Sequence, residues 1–453
     1  MKKLRVGVLF GGRSGEHEIS LRSAASILRA IDKRRYAVVL IGITKKGRWL
    51  LGSEALRLLQ GEYEETSGVT ATTNRHYAGL EVVLRQVIKM DIVFPVLHGT
   101  FGEDGTVQGL LELTDIPYVG TGVLGSAVSM DKDVMKRLFR CAGLPLVKHV
   151  VIDRSRWNED PKEVGKQIAQ SLKYPVFVKP ARLGSSVGVS KAHDETEFAP
   201  GMEEAAKYDS KIIVEEAVSG KEGKAREIEC AILGNKYPFA SIPGEIVPTR
   251  EFYDYEAKYL DGGAELRIPA KMTRAQQKKI QRLAVEAFRA VECAGLARVD
   301  FLMNPGTGKI FVNEINTMPG FTSMSMYPKL WEESGIPFAM LIDALIRLGL
   351  EQRMARRRKR YSYSRRLVST NHEGALYRPG GSSLGSESQE SVNAEKPIPQ
   401  TAIMERWVDF ICRKCGCTFD EIVEINAVRV LKIPICPSCN SKEHVEYWWE
   451  RLF

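Results

Sequence analysis

A predicted β-hairpin at residues 297–316 places oxygen-bearing side chains where they could bind a metal ion. Strand side chains alternate between faces, so Arg298 and Asp300 share one face of the first strand, and Glu314 and Asn316 share one face of the second. If these faces coincide, three oxygen ligands of the kind that Mg²⁺ prefers converge beside a guanidinium. The alternative is an ordinary half-buried hairpin with one solvated face.

Two glycine-rich loops follow apolar, strand-like segments and could bind anions. The loop at 11–18 opens a helix, where glycines allow close approach of a ligand and the helix N-terminal amides favour a carboxylate or phosphate. No Lys-Ser or Lys-Thr pair follows its glycines, so it is not a P-loop. The loop at 96–106 lies where open α/β sheets place their ligands. His98 in this loop could bind a substrate carboxylate, or it could serve as a local hydrogen-bonding residue.

Two further glycine segments carry weaker signals. Residues 120–125 read Gly-Thr-Gly-Val-Leu-Gly and fit the dinucleotide fingerprint, but the acidic residue expected about 20 positions later is missing, which disfavours that role. Lys179 ends a predicted strand before the Gly/Ser loop at 182–188. A lysine beside free loop amides suits a triphosphate, although surface lysines and Gly/Ser turns are common in any protein.

The composition indicates a multidomain globular chain. It has 453 residues, 44% of them apolar, which corresponds to about three domains. The sequence contains neither a signal-peptide pattern nor an apolar run of about 18 residues, so we predict no membrane span and a cytoplasmic location. The net charge of +9 reflects mainly a basic segment at 353–366.

The pattern of elements predicts a combined α/β and α+β architecture. Strands alternate with helices at 1–125, which predicts a parallel sheet covered by helices. Longer strand runs at 126–350 predict a mixed α+β domain. Residues 351–402 are basic and then rich in Gly and Ser, which predicts a disordered linker. A small domain at 403–453 follows.

Cysteines in the last segment have the spacing of a zinc site. Cys412 and Cys415 form one pair and Cys436 and Cys439 another, and this pattern predicts a zinc ribbon with four thiolate ligands. Such a small domain needs a metal to stabilise it, and structural zinc supplies folding free energy directly. Cys417 and His444 are additional candidate ligands, although Cys417 is better interpreted as a loop thiol.

Taken together, the blocks in residues 1 to about 350 resemble the D-alanine–D-alanine ligases of the ATP-grasp superfamily. Seven blocks occur in the order of that family: 11–20, 98–105, Met130 to Lys132, Lys179 to Gly188, 252–259, Arg298 to Asp300, and Asn313 to Gly320. The resemblance identifies 1–125 as the N-terminal substrate domain and 126–350 as the ATP-grasp domain. It implies ATP and D-alanine as substrates, Mg²⁺ as cofactor with Mn²⁺ as a substitute, and a homodimer.

The resemblance also assigns nucleotide-binding residues. Lys132 and Lys179 would contact the phosphates, and the strand containing Glu215, Glu216 and Val218 would line the adenine pocket. Lys258 would also contact the nucleotide. Glu227 would bind the ribose, but residues 221–225 precede it as an insertion. Either a hairpin is longer here, or the ribose contact moves to Glu222.

The implied reaction proceeds through an acyl phosphate and yields D-alanyl-D-alanine for peptidoglycan precursors. Two Mg²⁺ held by Asp300, Glu314 and Asn316 would neutralise charge on the phosphates. Arg298 and the Gly320 amide would stabilise a tetrahedral oxyanion. Glu16 would bind the ammonium group of the first D-alanine, and Ser325 the carboxylate of the second. Ser185 and Tyr259 would link with Glu16 to close a loop over both substrates. The block ending at Tyr259 resembles that of dipeptide-forming, rather than depsipeptide-forming, ligases.

A regulator that retains an inactive ATP-grasp body is the alternative function. In that case the zinc ribbon, or the basic run Arg353 to Arg366, would bind nucleic acid or a protein partner, although a solvated tail is the simpler interpretation of that run. The family does not ordinarily carry this C-terminal module. The complete set of predicted site residues favours the ligase.

Overall fold

The computed structural model divides the chain into two compact units, residues 1–358 and 359–453. It describes residues 2–64, 84–220, 223–248 and 264–357, together with three strands of the second unit. The strands of the first unit are β1 Leu4–Gly11, β2 Tyr36–Ile43, β3 Trp49–Leu51, β4 Ile92–Val96, β5 His149–Asp153, β6 Val176–Pro180, β7 Ser190–Ala192, β8 Lys211–Glu216, β9 Ser219–Gly220, β10 Gly223–Lys224, β11 Arg226–Gly234, β12 Phe239–Ala240, β13 Gly244–Pro248, β14 Ala264–Arg267, β15 Gly295–Met303 and β16 Ile310–Asn316. Its helices are α1 His17–Ala30, α2 Gly52–Gln60, α3 Thr106–Leu113, α4 Val123–Met130, α5 Lys132–Cys141, α6 Arg154–Glu159, α7 Pro161–Ser171, α8 Glu195–Ala206, α9 Arg274–Ala290, α10 Met326–Glu333 and α11 Phe338–Arg357.

The N-terminal domain is built on a four-stranded sheet in the order β3-β2-β1-β4. Strand β1 pairs in parallel with β2 and β4, and β3 adds an antiparallel edge. Leu9, Ile41 and Val93 lie in its buried core. The predicted parallel sheet is confirmed, and because β1 and β4 are adjacent, the loops that follow them lie at the same sheet edge.

Two antiparallel sheets form the following domain, as the α+β prediction required. The smaller has the order β5-β8-β6-β7, and the larger runs β14-β13-β11-β15-β16. Helix α9 covers the larger sheet, with Ile280 and Phe288 buried in the same core as Val299 and Val312. This helix begins at a capping box in which Thr273 and Gln276 satisfy each other's backbone amides, which fixes where it starts.

A short hairpin occupies the insertion that precedes Glu227. Strand β9 pairs with β10 in antiparallel fashion, with Gly220 opposite Gly223. Residues 221–222 lie outside the described residues. Of the two alternatives raised by the sequence, the pairing supports the longer hairpin.

Helix α11 continues beyond residue 350, where the sequence pattern placed the start of a disordered linker. Its last turns carry Arg353 and Arg356, whose guanidinium groups lie 3.3 Å from Asp115 Oδ2 and 2.8 Å from Glu112 Oε1 of the N-terminal domain. The first arginines of the basic run therefore bind acidic partners, which the linker prediction did not foresee. No helix among the described residues is long and apolar enough to cross a membrane.

The second unit contains a three-stranded antiparallel sheet. Strand β17 (Met404–Cys412) lies between β18 (Thr418–Ile425) and β19 (Val445–Tyr447). Cys412 ends β17, and the other predicted zinc ligands, Cys415, Cys436 and Cys439, fall outside the described residues, as do Cys417 and His444. In the described parts of the chain, no group of three or more His, Cys, Asp or Glu side chains is arranged to hold a metal. The zinc ribbon therefore stays a prediction.

Candidate active site

The hairpin β15-β16 brings its four predicted side chains onto one face. Arg298 is opposite Asn316, and Asp300 is opposite Glu314. The Arg298 guanidinium donates from Nε and Nη2 to the two oxygens of Asp300, each at 2.7 Å, and Asn316 Nδ2 donates to Asp300 Oδ2 at 2.9 Å. A carboxylate has about four lone-pair positions, so Asp300 can accept these bonds and still bind a cation.

Arg298 is also paired with a carboxylate of the neighbouring strand. Its Nε lies 2.9 Å from Glu229 Oε2 on β11. Burial alone would lower the pKa of Arg298, but the negative charges of Asp300 and Glu229 outweigh it and hold that pKa well above the ordinary value. Arg298 is therefore a permanent positive charge beside the hairpin.

Two lysines predicted to contact phosphates flank this face. Lys132 begins helix α5, and its Nζ donates to the Leu183 carbonyl at 2.7 Å and lies 3.5 Å from Glu314 Oε2. Lys179, near the end of β6, donates to Glu215 Oε2 at 2.7 Å. Both lysines thus approach the hairpin from other elements of the same domain.

A third lysine, which the sequence analysis did not single out, joins this cluster. Lys136 Nζ lies 2.8 Å from Glu215 Oε1 and donates to the Asn313 carbonyl at 2.9 Å. Its side chain is 1% exposed. Spacing could have indicated it, because Lys136 follows Lys132 by four positions and therefore lies on the same helix face.

Glu215 bridges the two buried lysines of this cluster. Burial alone would raise its pKa, but the charges of Lys136 and Lys179 outweigh that effect, and the pKa lies well below its usual range. Glu215 is therefore ionised throughout the physiological range. Strand β8, which carries Glu215, was predicted to line the adenine pocket. The Glu215 side chain itself contacts the two lysines.

The remaining predicted nucleotide residues lie on or beside the same strands. Glu216 Oε1 accepts a hydrogen bond from the Lys173 amide at 3.0 Å, and Val218 is half-buried. Burial would lower the pKa of Lys179, but Glu215, Glu314 and Glu227 raise it above its ordinary value. Glu227 is thus close enough to Lys179 to act on its charge. Glu222 and Lys258 lie outside the described residues.

The loop after β6 reaches the N-terminal domain. The Ser185 hydroxyl donates to Glu16 Oε1. Ser185 and Ser186 have φ values of 51° and 59°, a backbone region that non-glycine residues seldom occupy except where surrounding structure enforces it, often at functional sites. The predicted link between Ser185 and Glu16 is present, and Tyr259 falls outside the described residues.

His98 is buried and contacts protein groups through both ring nitrogens. Nδ1 lies 2.9 Å from the Met318 carbonyl oxygen, and Nε2 lies 3.3 Å from Ser23 Oγ. Burial lowers the pKa of His98, so the ring is neutral at physiological pH. These contacts correspond to the local hydrogen-bonding role that the sequence left open.

Glu103 joins the same loop to the segment after the hairpin. Oε2 accepts from the Gly99 amide at 2.7 Å, and Oε1 accepts from the Met318 amide at 3.0 Å. Burial, assisted by the nearby charge of Glu16, raises the pKa of Glu103 to about 8. Glu103 lies within the 98–105 block of the family resemblance, which gives it no individual role.

Gly320 and Ser325 lie next to each other. A Cβ atom at position 320 would lie 2.6 Å from Ser325 Oγ, so a side chain there would displace the serine. Ser325 Oγ accepts a hydrogen bond from the Thr322 amide at 3.0 Å. The Phe321 amide donates to Ser23 Oγ at 3.1 Å, which fixes this segment against helix α1.

One cavity of about 40 Å³ lies between the start of helix α5, the loop after β6 and the end of the hairpin. Its lining includes Glu103, Lys132, Gly184, Glu314 and Asn316. Cationic and oxygen-bearing side chains thus meet at the junction of the two domains. The charges and oxygen atoms around this small cavity are of the kinds that bind nucleotide phosphates and a divalent cation.

Two antiparallel sheets, the larger of which ends in the lysine-flanked hairpin β15-β16, define a ligase of the ATP-grasp class. Residues 5–121 match the family model described as D-ala D-ala ligase N-terminus, and residues 138–347 match the one described as D-ala D-ala ligase C-terminus. The chain belongs to the D-alanine–D-alanine ligase family.

Individual relatives agree with this assignment. The D-alanine–D-alanine ligase of Natranaerobius thermophilus is 48% identical over 370 residues, which is 80% of this chain and 100% of the relative, and that of Solibacter usitatus is 49% identical over 360 residues, 80% and 99% of the two chains. Among solved structures, the D-alanine–D-alanine ligase of Coxiella burnetii has a TM-score of 0.65 at 37% identity and covers 79% of this chain and 97% of its own. The VanG D-Ala:D-Ser ligase of Enterococcus faecalis has the same TM-score and identity and covers 77% and 100%.

Proposed function

We propose that this chain joins two molecules of D-alanine to D-alanyl-D-alanine, with hydrolysis of ATP to ADP and phosphate, for peptidoglycan precursor synthesis. The observation that carries the proposal is that Lys132 meets Glu314 and Asn316 of the hairpin around one cavity. Membership of the ligase family supports the same reaction.

The lysines prepare the nucleotide for transfer of its γ-phosphoryl group. Lys132 and Lys179 bind phosphate oxygens, and the strand with Glu215, Glu216 and Val218 lies along the adenine. Asp300, Glu314 and Asn316 fit Mg²⁺, because they offer carboxylate and carboxamide oxygens on one face of the hairpin. Bound there, the cation would neutralise charge on the phosphates.

In the first chemical step, a carboxylate oxygen of the first D-alanine attacks the γ-phosphorus. An O–P bond forms as the bond to ADP breaks, which gives an acyl phosphate. In the second step the amine of the second D-alanine attacks the acyl carbon and loses a proton, and phosphate leaves. The attack passes through a tetrahedral oxyanion, which the Arg298 guanidinium and the Gly320 amide stabilise. Loss of one such donor typically costs about 10²- to 10³-fold in rate.

Residues from both domains hold the substrates and exclude water. Glu16 binds the ammonium group of the first D-alanine, and Ser325 binds the carboxylate of the second. Ser185 and Tyr259 tie the loop after β6 to Glu16, and the observed hydrogen bond between Ser185 and Glu16 supports this closure. A closed loop protects the acyl phosphate from hydrolysis.

The second unit is proposed to be a zinc ribbon that is separate from the catalytic unit. Four cysteines at ribbon spacing and three antiparallel strands support this assignment. Binding of a nucleic acid or protein partner by this ribbon, a homodimer and a cytoplasmic location are further proposals that follow from the sequence.

Phosphate release with ATP, Mg²⁺ and D-alanine tests the function directly. We expect release that requires D-alanine, together with a dipeptide product identified by mass. One solved neighbour is a D-Ala:D-Ser ligase, so D-serine should be supplied as a competing acceptor. Absence of any amino-acid-dependent phosphate release would exclude ligation and favour the regulator alternative, whereas a D-Ala-D-Ser product in preference to D-Ala-D-Ala would change the second substrate only.

A further inference from the structure

Lys136 is buried behind the nucleotide-binding lysines, and no step of the proposed reaction uses it. Its ammonium group contacts Glu215 Oε1 at 2.8 Å, while Lys179 contacts Oε2 of the same carboxylate at 2.7 Å. Lys136 and Glu215 are 1% and 2% exposed, whereas Lys179 is 14% exposed. The three charges therefore form a row that leads from the interior to the cavity side.

The balance of charge in this row determines the net charge that a bound phosphate would experience. Burial lowers the pKa of Lys136, and the charge of Glu215, 2.8 Å away, opposes that shift. With Lys136 protonated, the two lysines and one glutamate leave one net positive charge, and the lysine nearest the surface is Lys179. Without Lys136, Glu215 and Lys179 would neutralise each other. We propose that Lys136 is a positioning residue that neutralises Glu215, so that Lys179 presents its full charge to the nucleotide phosphates. The inference rests on the proposed ATP-dependent function and specifies how its phosphate site is charged.

A second contact of Lys136 points in the same direction. Its ammonium group donates to the Asn313 carbonyl at 2.9 Å, and Asn313 precedes Glu314 on β16. One side chain thus links the phosphate-binding row to the strand that supplies Glu314. Lys136 comes from the first turns of α5, the helix that also supplies Lys132.

A merely structural role is the competing explanation, and stability alone cannot distinguish the two. A buried ion pair is expensive to desolvate, and replacing both partners with neutral groups of similar size is often harmless to stability. The electrostatic role, by contrast, predicts an effect on phosphate-bearing ligands only. Adenosine and ADP share the same base and ribose, so a comparison of the two isolates the phosphate contribution.

The test uses the full chain in three forms: the unmodified protein, Lys136→Met, and the double variant Lys136→Met with Glu215→Gln. Titration calorimetry measures the Kd of ADP with Mg²⁺ and the Kd of adenosine. For Lys136→Met we expect ADP affinity to fall about 10- to 100-fold relative to adenosine, the effect of one charge about 6 to 12 Å away at an effective dielectric constant of about 20. The double variant restores one net positive charge on Lys179, so its ratio of ADP to adenosine affinity should return to within a few-fold of the unmodified value.

Arg35→Met is the matched control, because it removes the cation of a half-buried ion pair with Asp343 in another part of the unit. It should leave both affinities unchanged. Equal weakening of ADP and adenosine by Lys136→Met, no weakening of ADP, or a double variant that does not recover would each overturn the proposal. If the single variant does not fold, the double variant still decides: it lacks both buried charges, so a ratio of ADP to adenosine affinity more than a few-fold below the unmodified value would overturn the proposal.

Binding is measured without turnover, so the outcome of this test does not depend on whether the chain has ligase activity. A protein that binds ADP as described but makes no peptide would refute the ligase and leave the role of Lys136 intact. A protein that makes the peptide but shows no selective loss of ADP affinity in Lys136→Met would refute only the role of Lys136.

Discussion

Ending the chain at residue 350 should weaken the catalytic unit, whereas ending it at residue 358 should not. The helix α11 extends to Arg357, and its last turns contact the N-terminal domain. Gln352 Nε2 donates to the Gly120 carbonyl at 3.1 Å, and Arg356 lies 2.8 Å from Glu112 and 4.8 Å from the centre of the Tyr118 ring. A chain that stops at 350 loses these contacts and keeps the rest of the unit.

The size of the effect follows from the contacts removed. The shorter chain loses two partly exposed ion pairs, from Arg353 and Arg356, worth about 0.5 kcal/mol each. It also loses the cation–π contact with Tyr118 and the hydrogen bonds of Glu351 and Gln352. Together these losses lower the free energy of unfolding by about 3 kcal/mol. An unfolding entropy of about 2.1 cal/mol/K per residue, over the unit that ends at Arg358, converts this loss to a fall in Tm of about 4 °C.

Thermal unfolding followed by circular dichroism, with ligase activity measured in parallel, checks this expectation. The chain ending at 358 is the matched control, because it differs by only the eight residues 351–358 and retains every contact described. Equal Tm values for the two shortened chains would refute the reasoning, since the end of the helix would then contribute nothing to docking. A chain that ends at 358 and is folded but inactive would instead show that the second unit belongs to the catalytic machinery.

Four other expectations address the site and the tail. Asp300→Ala should lower turnover by more than about 10²-fold and Asp300→Asn should also be impaired; near-normal kcat in either, measured over a range of Mg²⁺, would mean that the hairpin does not hold the metal. Tyr259→Phe should increase the use of D-lactate relative to D-alanine at neutral pH, and an unmodified protein that uses both equally would contradict the assignment. Elemental analysis should find about one zinc per chain, lost after substitution of Cys412 and Cys436 by serine, and a zinc-free, fully reduced protein would disprove the ribbon. The pKa of Glu103 is raised to about 8 from an ordinary 4.5, so the stability that its protonated form contributes is complete below pH 4.5 and is lost as the pH rises through 8. The Tm of Glu103→Gln should therefore fall less than the Tm of the unmodified protein between pH 5 and 8. Equal falls in the two Tm values would argue against the raised pKa.

The hairpin could be predicted because all of its determinants are local. The predicted strands, 297–303 and 309–316, differ from the observed β15 and β16 by at most two residues at an end. Alternating polar and apolar residues around a turn with proline and glycine leave few alternatives, and the alternation also determines which side chains share a face. The pairing of Asp300 with Glu314 was not predictable in this way, because the ladder shifts register between Asp300 and Phe301, and a regular ladder from the Phe301–Val312 pair would place Asn313 opposite Asp300.

The site and docking residues that could not be predicted from the sequence form ion pairs with partners far away in the chain. Lys136 is one of two lysines on a polar helix, and its buried partner Glu215 lies on a strand 79 positions later in the sequence. Arg353 and Arg356 read as part of a solvated basic run, because their acidic partners precede them by 238 and 244 positions. No local pattern encodes such ion pairs, so the composition of the basic run assigned Arg353 and Arg356 to the solvent.

The hydrogen bonds between the two domains at one segment depend on the sequence of one domain more than on that of the other. Toward the segment at 318–321, the ATP-grasp domain contributes backbone atoms: the amide and carbonyl of Met318 and the amide of Phe321. The N-terminal domain contributes side chains, those of Glu103, His98 and Ser23. Substitution at 318 or 321 leaves the bonding atoms in place, whereas substitution at any of the three partners removes one. The Phe321 side chain matters through packing instead, since its ring lies 5.8 Å from that of Phe94 in the N-terminal domain. A chimera that keeps this N-terminal half should therefore dock at this segment when the donor of the other half carries an aromatic residue at the position of Phe321, and the reverse exchange should succeed only when the donor of the N-terminal half carries the same three side chains.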